Sequence, residues 1–118
     1  MQSKINIPEY YVSEFNKSFQ EVIESNFSYV RIRGEISEVK TATKGQIYLT
    51  LKDNDSIISG VIWDSKKEYL QFAPKLGIEV IVTGKITTWS RYKTTYQIDI
   101  DKLEIAGKGA LLKLIEDR

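Results

Sequence analysis

The sequence predicts a mainly β fold with some α: one helix, then a small, strongly curled five-stranded sheet closed into a barrel, with a short helix between strands three and four. Three observations carry this. Apolar positions repeat at helical spacing only near the start, and alternate with period two from Val30 onward. Gly34, Gly60 and Gly84 interrupt the first, third and fourth alternating runs, where glycine marks bulges and sharp bends. The stretch from Asp64 to Phe72 breaks the alternation, and Pro74 and Gly77 stop it.

Each element follows from its residues. Val12, Phe15, Phe19, Val22 and Ile23 make one apolar helical stripe, with Glu14, Lys17, Gln20, Glu21 and Glu24 facing elsewhere. Ser13 suits the N-cap and Glu14 the positive end of the dipole, for a helix of about 12 residues ended by Ser25-Asn26. Val30, Ile32 and Ile36 share a face of the first strand. Ile47, Leu49 and Leu51 do so in the second, and Ile58 and Ile62 in the third. Ile78, Val80, Val82 and Ile86 make a long fourth strand; Tyr96, Ile98 and Ile100 open a fifth that runs towards Leu103 and Ile105. Strands with one apolar face need closure or a covering layer. Five short curled strands with a helix between the third and fourth fit the OB-fold, a Greek-key barrel. An SH3-like barrel does not account for a helix at that point.

Composition narrows the chemistry. The chain has 118 residues, no His and no Cys. Disulfides, thiolate metal sites, imidazole acid–base catalysis and His-based triads are excluded for this chain alone. No cofactor is expected. Asp53 and Asp55 could ligate a magnesium ion, but Lys52-Asp53-Asn54-Asp55-Ser56 reads better as a hairpin turn. Asp99 and Asp101 read as a solubilising strand edge. No apolar run is long enough for a membrane span or a signal peptide, and the absence of Cys fits a cytoplasmic protein.

The formal net charge of +1 conceals a pattern. Lys40, Lys44 and Lys52 stand in an acid-free stretch from Val39 to Lys52, and Lys85, Arg91 and Lys93 in another between Val80 and Ile98. These stretches hold the first-to-second and fourth-to-fifth loops, which in an OB-fold flank the binding face across strands two and three. Arg31 and Arg33 add charge opposite Val30 and Ile32, whereas acids gather in the first helix and last strand. Tyr48 points outward with Thr50 and Lys52; Trp63 closes the third strand; Trp89 and Tyr92 sit in the second basic loop. Single-stranded nucleic acid needs a positive track for phosphates and flat faces for bases. Arg31, Arg33, Lys40, Lys44, Lys52, Arg91 and Lys93 are therefore the candidate phosphate ligands, and Tyr48, Trp63, Trp89 and Tyr92 the candidate stacking platforms.

The residues also resemble a known family. Pro8-Glu9-Tyr10 with Val12-Ser13-Glu14, Val30-Arg31-Ile32-Arg33-Gly34-Glu35-Ile36-Ser37, and Gly45 through Asp53 are followed by Phe72, Pro74, Gly77, Val80, Val82, Gly84, Tyr96-Gln97, Gly107 and Gly109 to Leu112. In that order they resemble the N-terminal domain of the bacterial exodeoxyribonuclease VII large subunit. The resemblance implies an OB-fold that binds single-stranded DNA for a processive, metal-independent exonuclease yielding short oligonucleotides. It also implies, as partners, a catalytic domain further along the chain, a helical region and several small subunits. The family's catalytic residues would lie beyond residue 118, so none is assigned to this chain. Gln46 stands where the family often has His, and it retains the capacity to hydrogen-bond a base or phosphate. The loop from Trp89 to Thr95 lacks the Gly or Pro common there. The expected organisation is an OB-fold domain over 1–106, and over 107–118 a linker and the first turns of a helix leading to the catalytic domain. An RNA-binding module of the anticodon-binding type is the alternative reading of the same face. A docking module that forms homo-oligomers through a free strand edge is a further one.

Overall fold

The computed structural model describes residues 6–107 and residue 115. The helix expected from 107 onward lies, Gly107 and Ile115 apart, outside the described residues. The order is α1 (Val12–Asn26), β1 (Val30–Thr41), β2 (Ile47–Lys52), β3 (Ile57–Ile62), a 3₁₀ helix (Asp64–Tyr69), β4 (Glu79–Trp89) and β5 (Thr95–Ile105). The five strands close in the order β1-β2-β3-β5-β4. All neighbours are antiparallel except β3 and β5, which pair in parallel at Gly60–Ile98 and Val61–Asp99. The OB-fold expectation is borne out, including the helix between β3 and β4.

Two bulges bend the sheet, and their extra residues lie near Ser37 and at Asp101 rather than at Gly34, Gly60 or Gly84, where bends were expected. In β1 the inward apolar positions step from Ile36 to Val39, and the pairing with β2 shifts between Ile36 and Glu38. In β5 they step from Ile100 to Leu103, and Asp101 is the extra residue opposite Thr83 and Gly84. An extra residue bends its strand and increases the local twist. β1 uses its bend to change partners: residues 30–35 pair with β4 and residues 35–41 with β2. Ile36, Leu51, Ile62, Ile78, Ile98 and Ile100 fill the interior, each at most 1% exposed.

Closure leaves no strand at an edge among the described residues, so the free edge expected for oligomerisation is not there. Asp99 and Asp101 are likewise not an edge. Asp99 accepts a hydrogen bond from Thr87 Oγ1 at 3.2 Å, and Asp101 pairs with Lys66 Nζ at 2.7 Å. That pairing holds the Lys66 ammonium above its ordinary pKa, chiefly through the hydrogen bond. The contact is thus complete at neutral pH and is lost only as pH climbs past the unfolded lysine value of about 10.4 towards the raised one.

The first helix departs from expectation. It spans 15 residues rather than about 12, and starts two residues earlier, with Tyr11 rather than Ser13 as the N-cap. Ser13 therefore lies within the helix, while Glu14 Oε1 accepts the Tyr11 backbone N–H at 2.8 Å. Its apolar stripe is largely uncovered: Val12, Phe15, Phe19 and Val22 are all exposed. Only the C-terminal end engages the barrel, through Ile23 on the core and the Phe27 carbonyl, which accepts the Ile86 N–H at 3.0 Å.

Gly84 is the tightest point of the barrel. A Cβ there would run into the Asp99 backbone carbonyl, at the place where β5 bulges against β4. Backbone cannot yield as a flexible side chain can. Gly84→Ala should therefore destabilise the fold by about 1–3 kcal/mol or more, read as a fall in the urea midpoint with the slope of the transition unchanged.

Candidate nucleic-acid interface

The outward face where β1, β2 and β3 meet the β4–β5 loop forms a cleft of about 280 Å³. The register explains what lines it. Alternation turns Leu49 and Leu51 inward, so Tyr48 and Thr50 turn outward. Lys40 stands opposite Tyr48, and Glu38 opposite Thr50. The second half of β1, past its bulge, thus supplies side chains to the same surface. Trp89, the last residue of β4, and Lys93, in the loop after it, close the far wall.

Local contacts hold this surface. Gln46 Nε2 donates to the Tyr48 hydroxyl at 3.3 Å, tying the aromatic side chain to the β1–β2 loop. Thr50 Oγ1 donates to Glu38 Oε1 at 3.1 Å. The loop is tight: Gly45 takes φ of 100°, which favours glycine, and a Cβ there would meet the Asp64 carboxylate at the start of the 3₁₀ helix. Tyr48 and Trp89 remain 37% and 44% exposed, so flat faces are open to a ligand.

Of the sequence-predicted site residues, Lys40, Tyr48, Thr50, Trp89 and Lys93 line the cleft. Gln46 joins them through Tyr48, and Lys44 is exposed on the β1–β2 loop. Arg91 and Tyr92 extend from the β4–β5 loop, with the Arg91 guanidinium 5.6 Å from the centre of the Tyr92 ring. Trp63 is exposed just past the end of β3, outside the cleft's lining.

The remaining three stand elsewhere. Arg31 pairs with Glu104 at 3.1 Å, and Arg33 with Glu79 at 3.0 Å and with the Ala106 carbonyl at 3.1 Å. The Glu79 hydrogen bond holds the Arg33 guanidinium above its ordinary pKa. Lys52 sits at the opposite end of β2, in a second cleft shared with Arg33 and Glu79. The alternation in the sequence shows that Arg31 and Arg33 face outward. It does not show that β4 and β5 bring carboxylates beside them.

Sequence reasoning missed Glu38, Ser59 and Gln97, which also line the cleft. The acid-free stretch begins at Val39, one residue after Glu38, yet the strand register sets Glu38 against Thr50. Period two puts Gln97 out of phase with Ile98 and Ile100, but burial does not follow that phase there: Gln97 and Ile98 are both buried.

With this geometry in hand, likeness to known proteins becomes informative. A family described as OB-fold nucleic acid binding domain matches residues 10–104. The chain belongs to that family. It is 46% identical over 105 residues to the exodeoxyribonuclease 7 large subunit of Erythrobacter litoralis, covering 89% of this chain and 22% of the relative. It is 45% identical over 118 residues to that of Sinorhizobium medicae, covering 99% of this chain and 22% of the relative. The resemblance read from the sequence is borne out, and the chain spans about a fifth of the length of the curated relatives it matches. Among solved structures, a replication protein A heterotrimer bound to single-stranded DNA matches with TM-score 0.55 and 10% identity over 75% of this chain and 67% of that one. Asparaginyl-tRNA synthetase from Pyrococcus horikoshii complexed with asparaginyl-adenylate matches with TM-score 0.55 and 19% identity over 85% of this chain and 22% of that one. These two likenesses establish the shared barrel.

Asp53 and Asp55 form the hairpin turn expected between β2 and β3. Asp53 Oδ1 accepts the backbone N–H groups of Asp55 and Ser56 at 2.8 and 2.9 Å. Among the described residues no group of three or more acidic side chains is placed to hold a metal ion, and no helix is long and apolar enough to cross a membrane. Asp53→Ala should cost about 1 kcal/mol in stability. Magnesium should leave the urea midpoints of both wild type and variant unchanged; a rise confined to the wild type would mean that Asp53 binds the ion.

Proposed function

We propose that this domain captures single-stranded DNA along the Lys40–Tyr48–Trp89–Lys93 cleft and presents it to the nuclease centre of an exodeoxyribonuclease large subunit. The observation that carries this is the convergence of cations and exposed aromatic faces on one surface. Phosphates follow Lys40, Lys44, Arg91 and Lys93, while bases stack on Tyr48 and Trp89. Trp63 and Tyr92 extend the platform at either end.

In this reading the OB-fold occupies 1–106, and 107–118 lead into the catalytic part of a longer cytoplasmic protein. The partners are that remainder of the large subunit and, through it, small subunits. The product is short oligonucleotides. In this reading the domain's part is binding and positioning, because its binding face carries neither His nor Cys, and the acidic residue of that face, Glu38, accepts a hydrogen bond from Thr50. Several copies in an assembled enzyme would raise avidity beyond that of one domain.

A titration of tryptophan fluorescence with a mixed-sequence DNA oligonucleotide tests this. With about four phosphates neutralised at about −0.7 each, log affinity should fall against log salt with a slope near −2.8. Arg31 and Arg33, already engaged by Glu104 and Glu79, should contribute little to that slope. A flat salt dependence would refute capture through phosphates. Tyr48→Ala and Trp89→Ala should each weaken binding by about 1–3 kcal/mol. A matched RNA oligonucleotide bound more tightly than DNA would instead favour the RNA-binding alternative, since that preference requires a contact to the 2′-hydroxyl.

A further inference from the structure

The cleft contains a polar group that stacking and phosphate contacts leave unexplained. Gln97 lines it and is only 6% exposed. Its carboxamide has no hydrogen-bond partner among the described residues, whereas the Gln46 amide donates to Tyr48 and the Gln20 amide to Glu24. No buried side-chain nitrogen or oxygen among the described residues is both sealed from solvent and unpaired, so the Gln97 amide opens into the cleft. An amide open to the cleft can pair with water, and a ligand that displaces that water must replace its hydrogen bonds.

The register places Gln97 in company. Glu38 is opposite Thr50, and Thr50 is opposite Ser59. In the parallel pair Gly60 stands beside Ile98, and one residue back on each strand stand Ser59 and Gln97. Glu38, Thr50, Ser59 and Gln97 thus form one polar row across four strands. Its two ends are a carboxylate, which only accepts hydrogen bonds, and a carboxamide, which both donates and accepts. The cleft, at about 280 Å³, is just below the small end of ordinary ligand sites, and both Tyr48 and Trp89 line it.

We propose that this row reads one base of the bound strand and selects against thymine. The proposal rests on the single-stranded DNA reading above and adds base preference to it. The Gln97 oxygen accepts from an exocyclic amine, and its NH₂ donates to the adjacent ring nitrogen. This is the two-point match that glutamine makes with adenine, and cytosine presents an equivalent array at N4 and N3. The second proton of the amine goes to Glu38, the acceptor that suits cytosine N4. Thymine presents a carbonyl oxygen where these bases carry the amine. It would set that oxygen against the Glu38 carboxylate, whose one donor would then be Thr50.

The test titrates the 118-residue chain with oligo-dC and oligo-dT of equal length at one salt concentration, following tryptophan fluorescence. Oligo-dC should bind about tenfold more tightly. Gln97→Met, which keeps the length of the side chain, should lower oligo-dC affinity to the oligo-dT level and leave oligo-dT unchanged. Its urea midpoint should stay level, because the amide has no partner to lose among the described residues. Glu38→Gln should narrow the dC/dT ratio, in part by strengthening oligo-dT, because the amide can donate to the thymine carbonyl oxygen. Equal binding of the two oligomers by wild type, or an equal loss for both in Gln97→Met, would overturn base selection while leaving DNA capture standing. Binding of neither would overturn both.

Discussion

The joining of β3 to β5, two strands far apart in sequence, depends on how β1 and β5 bend. β1 must serve β4 with one half and β2 with the other, and β5 must lie along β4 while reaching β3 in parallel. Neither is feasible for straight strands. The extra residue in each, near Ser37 and at Asp101, supplies the turn, and Gly84 lets the β4 backbone come against the Asp99 carbonyl. Everything placed on the outer surface inherits its position from this closure.

The cleft is a direct consequence. Before its bulge, β1 sends Arg31 and Arg33 outward beside β4, where Glu79 and, from β5, Glu104 meet them. After it, β1 sends Glu38 and Lys40 outward beside β2, facing Thr50 and Tyr48. One strand thus contributes to two chemically distinct surfaces: a set of ion pairs on one side, and on the other a cleft whose lysines have no ion-pair partner among the described residues. Exposed ion pairs such as Arg31–Glu104 contribute little to stability, but they do remove charge from the pool open to a polyanion. A net charge of +1 is therefore compatible with a locally cationic face.

Much of this was legible in the residues. Alternation located all five strands and showed Tyr48 and Thr50 pointing outward. The interruption from Asp64 to Phe72 located the short helix, and the turn residues located the β2–β3 hairpin. The bulges were not located: Gly34, Gly60 and Gly84 marked the expected bends, whereas the extra residues lie near Ser37 and at Asp101. The amphipathic helix was found, but not the exposure of its stripe: periodicity reports an apolar face, not what covers it.

The local pattern of apolar, glycine and turn residues by itself determined the elements, the barrel class and the identity of the outward-facing side chains, because each depends on a residue and its near neighbours. Only the tertiary structure decided which outward side chains share a surface. That depends on register between strands as distant as Glu38 on β1 and Gln97 on β5, and on carboxylates such as Glu104, 73 positions from the arginine it meets. Such pairings arise from the bend of a strand and the closure of a sheet, and no window along the chain contains them.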